Sequence, residues 1–172
     1  WVCFGYSLAF TGAGSAEEAT WLTPFIGGFS KAFLAGVDTS SLAETFTTNV
    51  YVPEYVFIIF QMAFACIAPA LIVGATVERM KFAAMLAFVV IWFFFSYLPM
   101  AHMVWWWGGP SAFDAPGGFL FGHGDLDFAG GTVIHINAGV AGLVAALVVG
   151  PRLGYGKEPM APHTLPFTFL GG

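Results

Sequence analysis

Charged side chains are scarce in this sequence. Lysine, arginine, aspartate and glutamate together make up 9% of its 172 residues, whereas 58% are hydrophobic and 18% are aromatic. Soluble domains carry roughly 25% charged residues, so the composition excludes an ordinary soluble domain and predicts an integral membrane protein. With five basic residues against ten acidic ones and a net charge of −5, the chain also lacks the charge that a nucleic-acid-binding surface needs.

Cysteine and histidine are also sparse. Cys3 and Cys66 lie in apolar runs without the spacing of metal ligands, so we expect both to be small buried residues. Of the four histidines, His135 alone lies deep in an apolar stretch, and one histidine makes a poor metal or haem site. We therefore expect no metal, no cofactor and no enzyme.

Three apolar stretches are long enough to cross a bilayer, since about 20 apolar residues suffice. They are residues 55–77, 82–100 and 130–149. Residues 1–10 indicate the end of an earlier helix, and Leu165 begins another apolar run. The sequence therefore predicts an all-α integral membrane protein and a piece of a larger polytopic chain, with residues 1–172 as one partial domain.

The connections differ in charge. The stretch Thr11–Pro53 is long and acidic, and we expect short interfacial helices near Leu22–Ala35 and Leu42–Thr47. The two short loops that follow the first and third spans hold four of the five basic residues, which are Arg79, Lys81, Arg152 and Lys157. Basic loops stay on the cytoplasmic side, so the acidic connection and the Trp105–Trp107 cluster face outward.

The most informative segment begins at Asp127 and continues through Gly130 and Gly131 into the third span. An aspartate at this point either caps the free N–H groups of the helix or binds a cation directly, and its field favours a cation in both cases. His135 lies roughly 12 Å deeper along the helix. A neutral imidazole offers one donor and one acceptor, so His135 either pairs inside the bundle or contacts a small polar molecule that passes it.

Aromatic side chains supply the remaining candidates. Phe60 and Phe64 are four residues apart on one helical face, where they either pack in the core or narrow a pore. Trp105 is the best candidate for a cation–π contact. At least one of Trp105–Trp107 must face protein, because neighbouring residues of a helix are rotated by about 100°. Stripping an ammonium-sized ion of water costs about 20 kcal/mol in the Born limit, so such a cation must lose a proton before it crosses an apolar lumen.

The chain resembles the ammonium transporter family, the Amt/Mep/Rh superfamily, on its Amt side. The motifs that carry the resemblance occur in the family's order over nearly the whole chain and are Gly5–Phe10, Phe60–Ala65, Gly74–Met80, Ala101–Trp105, Asp127–Asn137 and Pro162–Pro166. The resemblance implies a fragment of an eleven-helix fold, from the end of the second helix to the start of the sixth. It also implies a homotrimer with one narrow pore in each protomer.

The resemblance implies roles for individual residues. Trp105 and Phe64 correspond to the ammonium-binding site, Phe64 to the outer gate with Phe60 beside it in the pore, and His135 to the first of two pore histidines. Asp127 corresponds to the buried aspartate that supports the site. The implied activity is recruitment of ammonium, its deprotonation, and passage of ammonia past the histidine. The second histidine, the second gate phenylalanine and a recruitment-site serine belong to later helices.

The resemblance also implies a cellular location and binding partners for the protein, and it leaves one alternative function open. The resemblance implies a multi-pass protein of the plasma or inner membrane, with ammonium or ammonia, the lipid bilayer and a cytoplasmic PII signalling protein as partners. The alternative is an ammonium sensor, in which the same fold is coupled to a cytoplasmic signalling module. Binding without transport would distinguish the sensor.

Overall fold

Three long apolar helices form the frame of the chain. A computed structural model describes residues 1–12, 19–113 and 115–171. Its helices are α1 (Gly5–Phe10), α2 (Glu54–Thr76), α3 (Phe82–Trp105), α4 (Phe119–Gly122), α5 (Gly131–Val149) and α6 (Leu165–Gly171). Within those described residues, α2, α3 and α5 are long and apolar enough to cross a membrane.

Helix α3 continues past Met100, where the sequence places the end of the second span, as far as Trp105. Proline usually marks a helix boundary because it lacks an N–H group and clashes with the preceding turn. Here Pro99 lies two residues after a wider π-helical segment, Phe93–Tyr97, whose hydrogen bonds are already rearranged. The helix therefore passes the proline and carries Trp105 on its last turn.

The outer connection contains a β-hairpin where the sequence analysis expects a short helix at Leu42–Thr47. That prediction is wrong, because strand β1 (Leu42–Glu44) pairs antiparallel with strand β2 (Tyr51–Pro53). The Thr45 hydroxyl donates to the Val50 carbonyl across the turn, and Asn49 adopts a positive φ of 63°. The short 3-10 turn Ala32–Leu34 is the one helical element that the structure describes near Leu22–Ala35, and residues 13–18 of the connection lie outside the described residues.

A buried carboxylate ties the outer connection to the first long helix. Glu54, the first residue of α2, is 3% exposed, accepts a hydrogen bond of 2.7 Å from the Tyr6 hydroxyl and pairs with Lys31. A buried charge is tolerated only when it is paired and hydrogen-bonded. This contact therefore fixes α1, the connection and the outer end of α2 together.

The two basic loops lie beside each other, as a shared membrane side requires. Arg79 Nη1 donates to the Gly150 carbonyl at 3.3 Å, and Arg152 lies 3.4 Å from Glu78. Both contacts join the end of α2 to the end of α5. The outer hairpin and the Trp105–Trp107 cluster lie at the opposite ends of these helices.

The core lies between α1, α2, α3 and α5, with α2 packed along α5 and α1 against α3. Close approach of α2 and α5 depends on small residues, since a Cβ at Gly142 would lie 3.4 Å from that of Ala75. His102 is fully buried, with ring nitrogens 3.0 and 2.8 Å from the carbonyl oxygens of Ala9 and Thr23. Contrary to the sequence expectation, both cysteines are exposed.

Candidate functional site

A cavity of about 480 Å³ lies at the outer ends of the long helices. Helix α2, the end of α3, the β-hairpin and the loop before α5 each contribute to its wall. Four of the five site residues predicted from the sequence line it, and these are Phe60, Phe64, Trp105 and Asp127. His135 does not line this cavity.

Three aromatic rings form one side of this outer cavity. Phe60 and Phe64 meet edge to face at 5.0 Å between ring centroids, as i and i+4 residues of one helix do. The ring centroids of Phe64 and Trp105 are 5.8 Å apart, and the planes of the two rings are inclined at 66°. The three rings therefore meet edge to face rather than in parallel stacks, and all three line the cavity, where a π-face can attract a cation.

The Asp127 carboxylate is held by the beginning of α5. Oδ1 accepts the N–H groups of Gly130 and Gly131, and Oδ2 accepts those of Thr132 and Val133, at 2.5 to 2.9 Å. These are the N–H groups that a helix start leaves without partners. The charge lies in the cavity wall, while its oxygens are occupied by backbone.

The position of Trp105 depends on the same residue. Its indole Nε1 donates to the Asp127 carbonyl oxygen at 2.8 Å, which fixes the ring relative to α5. Gly130 makes this turn accessible because it adopts φ = 87°, a conformation that residues with a side chain rarely adopt. The run of carboxylate and glycines therefore orients both the charge and the ring.

The hairpin covers the mouth of the cavity with a phenylalanine. The ring of Phe46 stacks on Phe128 at 4.7 Å and on Trp107 at 5.4 Å between centroids. Sequence reasoning missed Phe46 and Phe128 as cavity residues, because their contacts join segments far apart in the chain. The alternation around Val50 and Val52, with Asn49 at the turn, is the signal that predicts the hairpin.

Replacing Phe46 with alanine should loosen this cover. Aromatic pairs of this geometry contribute about 0.5–1.5 kcal/mol each, so losing two should raise the rate of amide hydrogen exchange in Leu42–Glu44 and Tyr51–Pro53 by about fivefold or more. Leu42→Ala is the matched control, since Leu42 is a similarly exposed hairpin residue outside the stack. Equal exchange in the two variants would show that the stack does not hold the hairpin.

His135 lines a second cavity of about 540 Å³. The lining side chains come from α2 with its following turn and from α5, and they are Leu71, Ala75, Arg79, His135, Ala138, Gly139, Gly142, Leu143 and Ala146. The imidazole lies in the π-helical segment Gly131–Ile136 and is exposed on this side. It brings a polar ring into a wall that is apolar apart from Arg79.

The two cavities follow one another along a single face of α2. Phe57, Phe60 and Phe64 line the outer cavity, and Leu71 and Ala75 line the second. Steps of three, four and seven residues keep side chains on one helical face, and seven residues advance about 10 Å. The same helix face therefore continues from the outer mouth toward the basic loops.

The electrostatics of the outer cavity favour a cation. Its lining includes three carboxylates, Glu44, Asp125 and Asp127, and no lysine or arginine among the described residues. Carboxylates alone do not make a metal site, and no cluster of metal-ligating side chains occurs in residues 1–12, 19–113 and 115–171.

The three consecutive tryptophans, Trp105–Trp107, have different surroundings. Trp106 stacks on His102 at 4.7 Å between ring centroids, whereas Trp105 and Trp107 line the cavity.

Comparison with known proteins identifies the family. The model of the Ammonium Transporter Family matches residues 1–172. The chain belongs to the ammonium transporter family. It is 44% identical over 176 residues to an ammonium transporter of Bacillus subtilis (strain 168), covering 100% of this chain and 36% of that protein. An ammonium transporter of Mycobacterium tuberculosis (strain H37Rv) is 40% identical over 184 residues, which cover 99% of this chain and 36% of that protein.

Solved structures show the same fold for this family member. A crystal structure of a Candida albicans Mep2 mutant matches 99% of this chain and 34% of its own, at 30% identity and a TM-score of 0.73. Saccharomyces cerevisiae Mep2 matches 88% of this chain and 29% of its own, at 31% identity and a TM-score of 0.67. The chain thus spans about a third of the length of the transporters it matches.

Proposed function

We propose that the protein transports ammonium across a membrane and captures the ion in the outer cavity. One observation carries the proposal. In a member of the ammonium transporter family, the rings of Phe64 and Trp105 and the charge of Asp127 line one acidic cavity. A cavity of about 480 Å³ is much larger than the roughly 30 Å³ that one water occupies, so it admits a hydrated ion.

Capture and passage require different chemical forms. A cation over an aromatic face gains about 1–2 kcal/mol when it is partly desolvated, which is enough to concentrate ammonium beside Trp105. Full dehydration costs about 20 kcal/mol in the Born limit, so the ion cannot enter an apolar passage as a cation. We infer that it loses a proton near Phe64 and Asp127 and continues as ammonia, with Phe60 and Phe64 as the gate. The released proton crosses the membrane separately, so each ammonium still moves one positive charge, which a current assay measures.

His135 is the polar contact on the inner part of this route. Ammonia both donates and accepts hydrogen bonds, and a neutral imidazole can serve either need. The second cavity lies on the same α2 face as the outer one, which supports a continuous path from Trp105 past His135 toward the basic loops.

Assembly and location belong to the same proposal. We propose a homotrimer in the plasma or inner membrane, with a PII signalling protein as a cytoplasmic partner. The support is family membership together with the contacts Arg79–Gly150 and Arg152–Glu78, which gather the basic loops at one face. Cross-linking of the purified protein in detergent tests the trimer.

An ammonium pulse on proteoliposomes tests the activity. The protein is expressed from the complete reading frame that contains residues 1–172, and Trp105→Leu is measured alongside it. We expect a saturable current in the unmodified protein. In the variant the half-saturating ammonium concentration should rise by about fivefold or more, because one cation–π contact is lost. Ammonium binding with neither current nor ammonia flux would contradict transport and favour the sensor.

A further inference from the structure

The carboxylate of Asp127 has no free position for a ligand. A carboxylate offers about four lone-pair sites, and four backbone N–H groups occupy them here. Asp127 therefore acts on a cation through its charge, because accepting an N–H from the ion would break a bond to the start of α5. An ammonium ion in the outer cavity needs a different hydrogen-bond acceptor.

Gln61 is a buried polar side chain in the wall of the same cavity. It lies on the turn of α2 that carries Phe60 and Phe64 and is 7% exposed. Its Oε1 has no hydrogen-bond partner in the part of the chain that the structure describes. More than 90% of buried polar groups in proteins are paired, so an unpaired carbonyl in a cavity wall indicates a ligand that donates to it.

The other acceptors of the cavity are less suited to this role. The Thr45 hydroxyl bonds the Val50 carbonyl and accepts the Thr47 N–H, and Asp125 accepts from the Thr132 hydroxyl. Glu44 is exposed to solvent at the hairpin, where water screens its charge. Gln61 combines burial, an unused acceptor and adjacency to the aromatic rings.

We propose that Gln61 is a further ammonium-binding residue of this site, resting on the proposed function. Its side-chain carbonyl accepts one N–H of an ammonium ion that lies against the rings of Phe64 and Trp105. Aromatic rings attract any compact cation, whereas a carbonyl oxygen either accepts an N–H or coordinates a bare metal ion, and a quaternary ammonium ion offers neither. The cavity thereby favours ions that carry N–H groups over quaternary ammonium ions, which carry none.

The test measures the half-saturating ammonium concentration in the proteoliposome assay. Gln61→Leu and Gln61→Met remove the acceptor at similar volume, and each should raise that concentration about tenfold to a hundredfold, since a hydrogen bond to a charged group is lost. Gln61→Glu keeps an acceptor oxygen at the same reach and should not raise it. Two acceptor-free variants are used so that the misfolding of one does not decide the result.

The control is Ile59→Met, on the opposite side of α2, where Ile59 is 61% exposed. It should leave the half-saturating concentration unchanged. If Gln61→Leu and Gln61→Met both match the unmodified protein while Trp105→Leu does not, the role of Gln61 is overturned and transport stands. If the unmodified protein neither binds nor carries ammonium, the proposed function fails, and this inference fails with it.

Discussion

Replacing Asp127 with asparagine is expected to destabilise the protein and abolish most of its ammonium capture. The amide keeps one acceptor oxygen but presents an NH₂ group to N–H donors of Thr132 and Val133, or of Gly130 and Gly131. Leaving such donors unpaired costs about 1–3 kcal/mol each, so the free energy of unfolding should fall by about 2 kcal/mol or more. Thermal unfolding in detergent measures this fall.

The ammonium-evoked current should fall about tenfold or more in the same variant, for two reasons. The negative charge beside the cavity is gone, and the Asp127 carbonyl that holds Trp105 Nε1 shifts with its turn. Asp125→Asn is the matched control, since it removes the same charge two residues away, where the carboxylate has one long contact of 3.4 Å to Thr132. If both variants lose stability and current equally, general cavity charge rather than the backbone bonds of Asp127 explains the effect.

The long helices could be predicted because their signal is local. Each is a run of apolar residues longer than the bilayer requires, and the basic residues that follow α2 and α5 mark a shared side. The end of α3 could not be predicted from Pro99, because whether proline ends a helix depends on the hydrogen bonds of the preceding turn. The π-helical turn Phe93–Tyr97 allows the helix to continue past Pro99. The sequence does not reveal this turn, because the segment is largely apolar on every side and shows no alternation of polar and apolar residues.

The cavity shows the same division between local and distant contacts. A carboxylate placed just before a helix with glycines between leaves two alternatives in the sequence, a helix cap or a direct cation ligand, and the four backbone contacts of Asp127 select the cap. The stacking of Phe46 on Trp107 and Phe128 joins three separate segments, and the chain has 20 phenylalanines that compete for such roles. That Gln61 Oε1 has no partner among the described residues is equally invisible in the sequence, since an unpaired atom is a property of the packed wall.

Replacing His135 with alanine should have the largest effect on transport. The second cavity is otherwise lined by aliphatic side chains, glycine and Arg79, so alanine removes the ring that can hydrogen-bond a neutral molecule on that wall. Moving a polar group into an apolar site without a hydrogen bond costs about 2–7 kcal/mol. At 1.36 kcal/mol per tenfold change in rate, ammonia flux should fall by about thirtyfold or more.

A stopped-flow measurement of the pH change inside proteoliposomes reports this flux directly. His163→Ala is the matched control, because it deletes the same ring from an exposed loop residue that contacts Thr164. Stability should change little in either variant, since His135 is exposed on the cavity rather than packed in the core. Unchanged flux and selectivity in His135→Ala would show that ammonia does not pass this histidine, while capture at Trp105 would remain separately testable by the current assay.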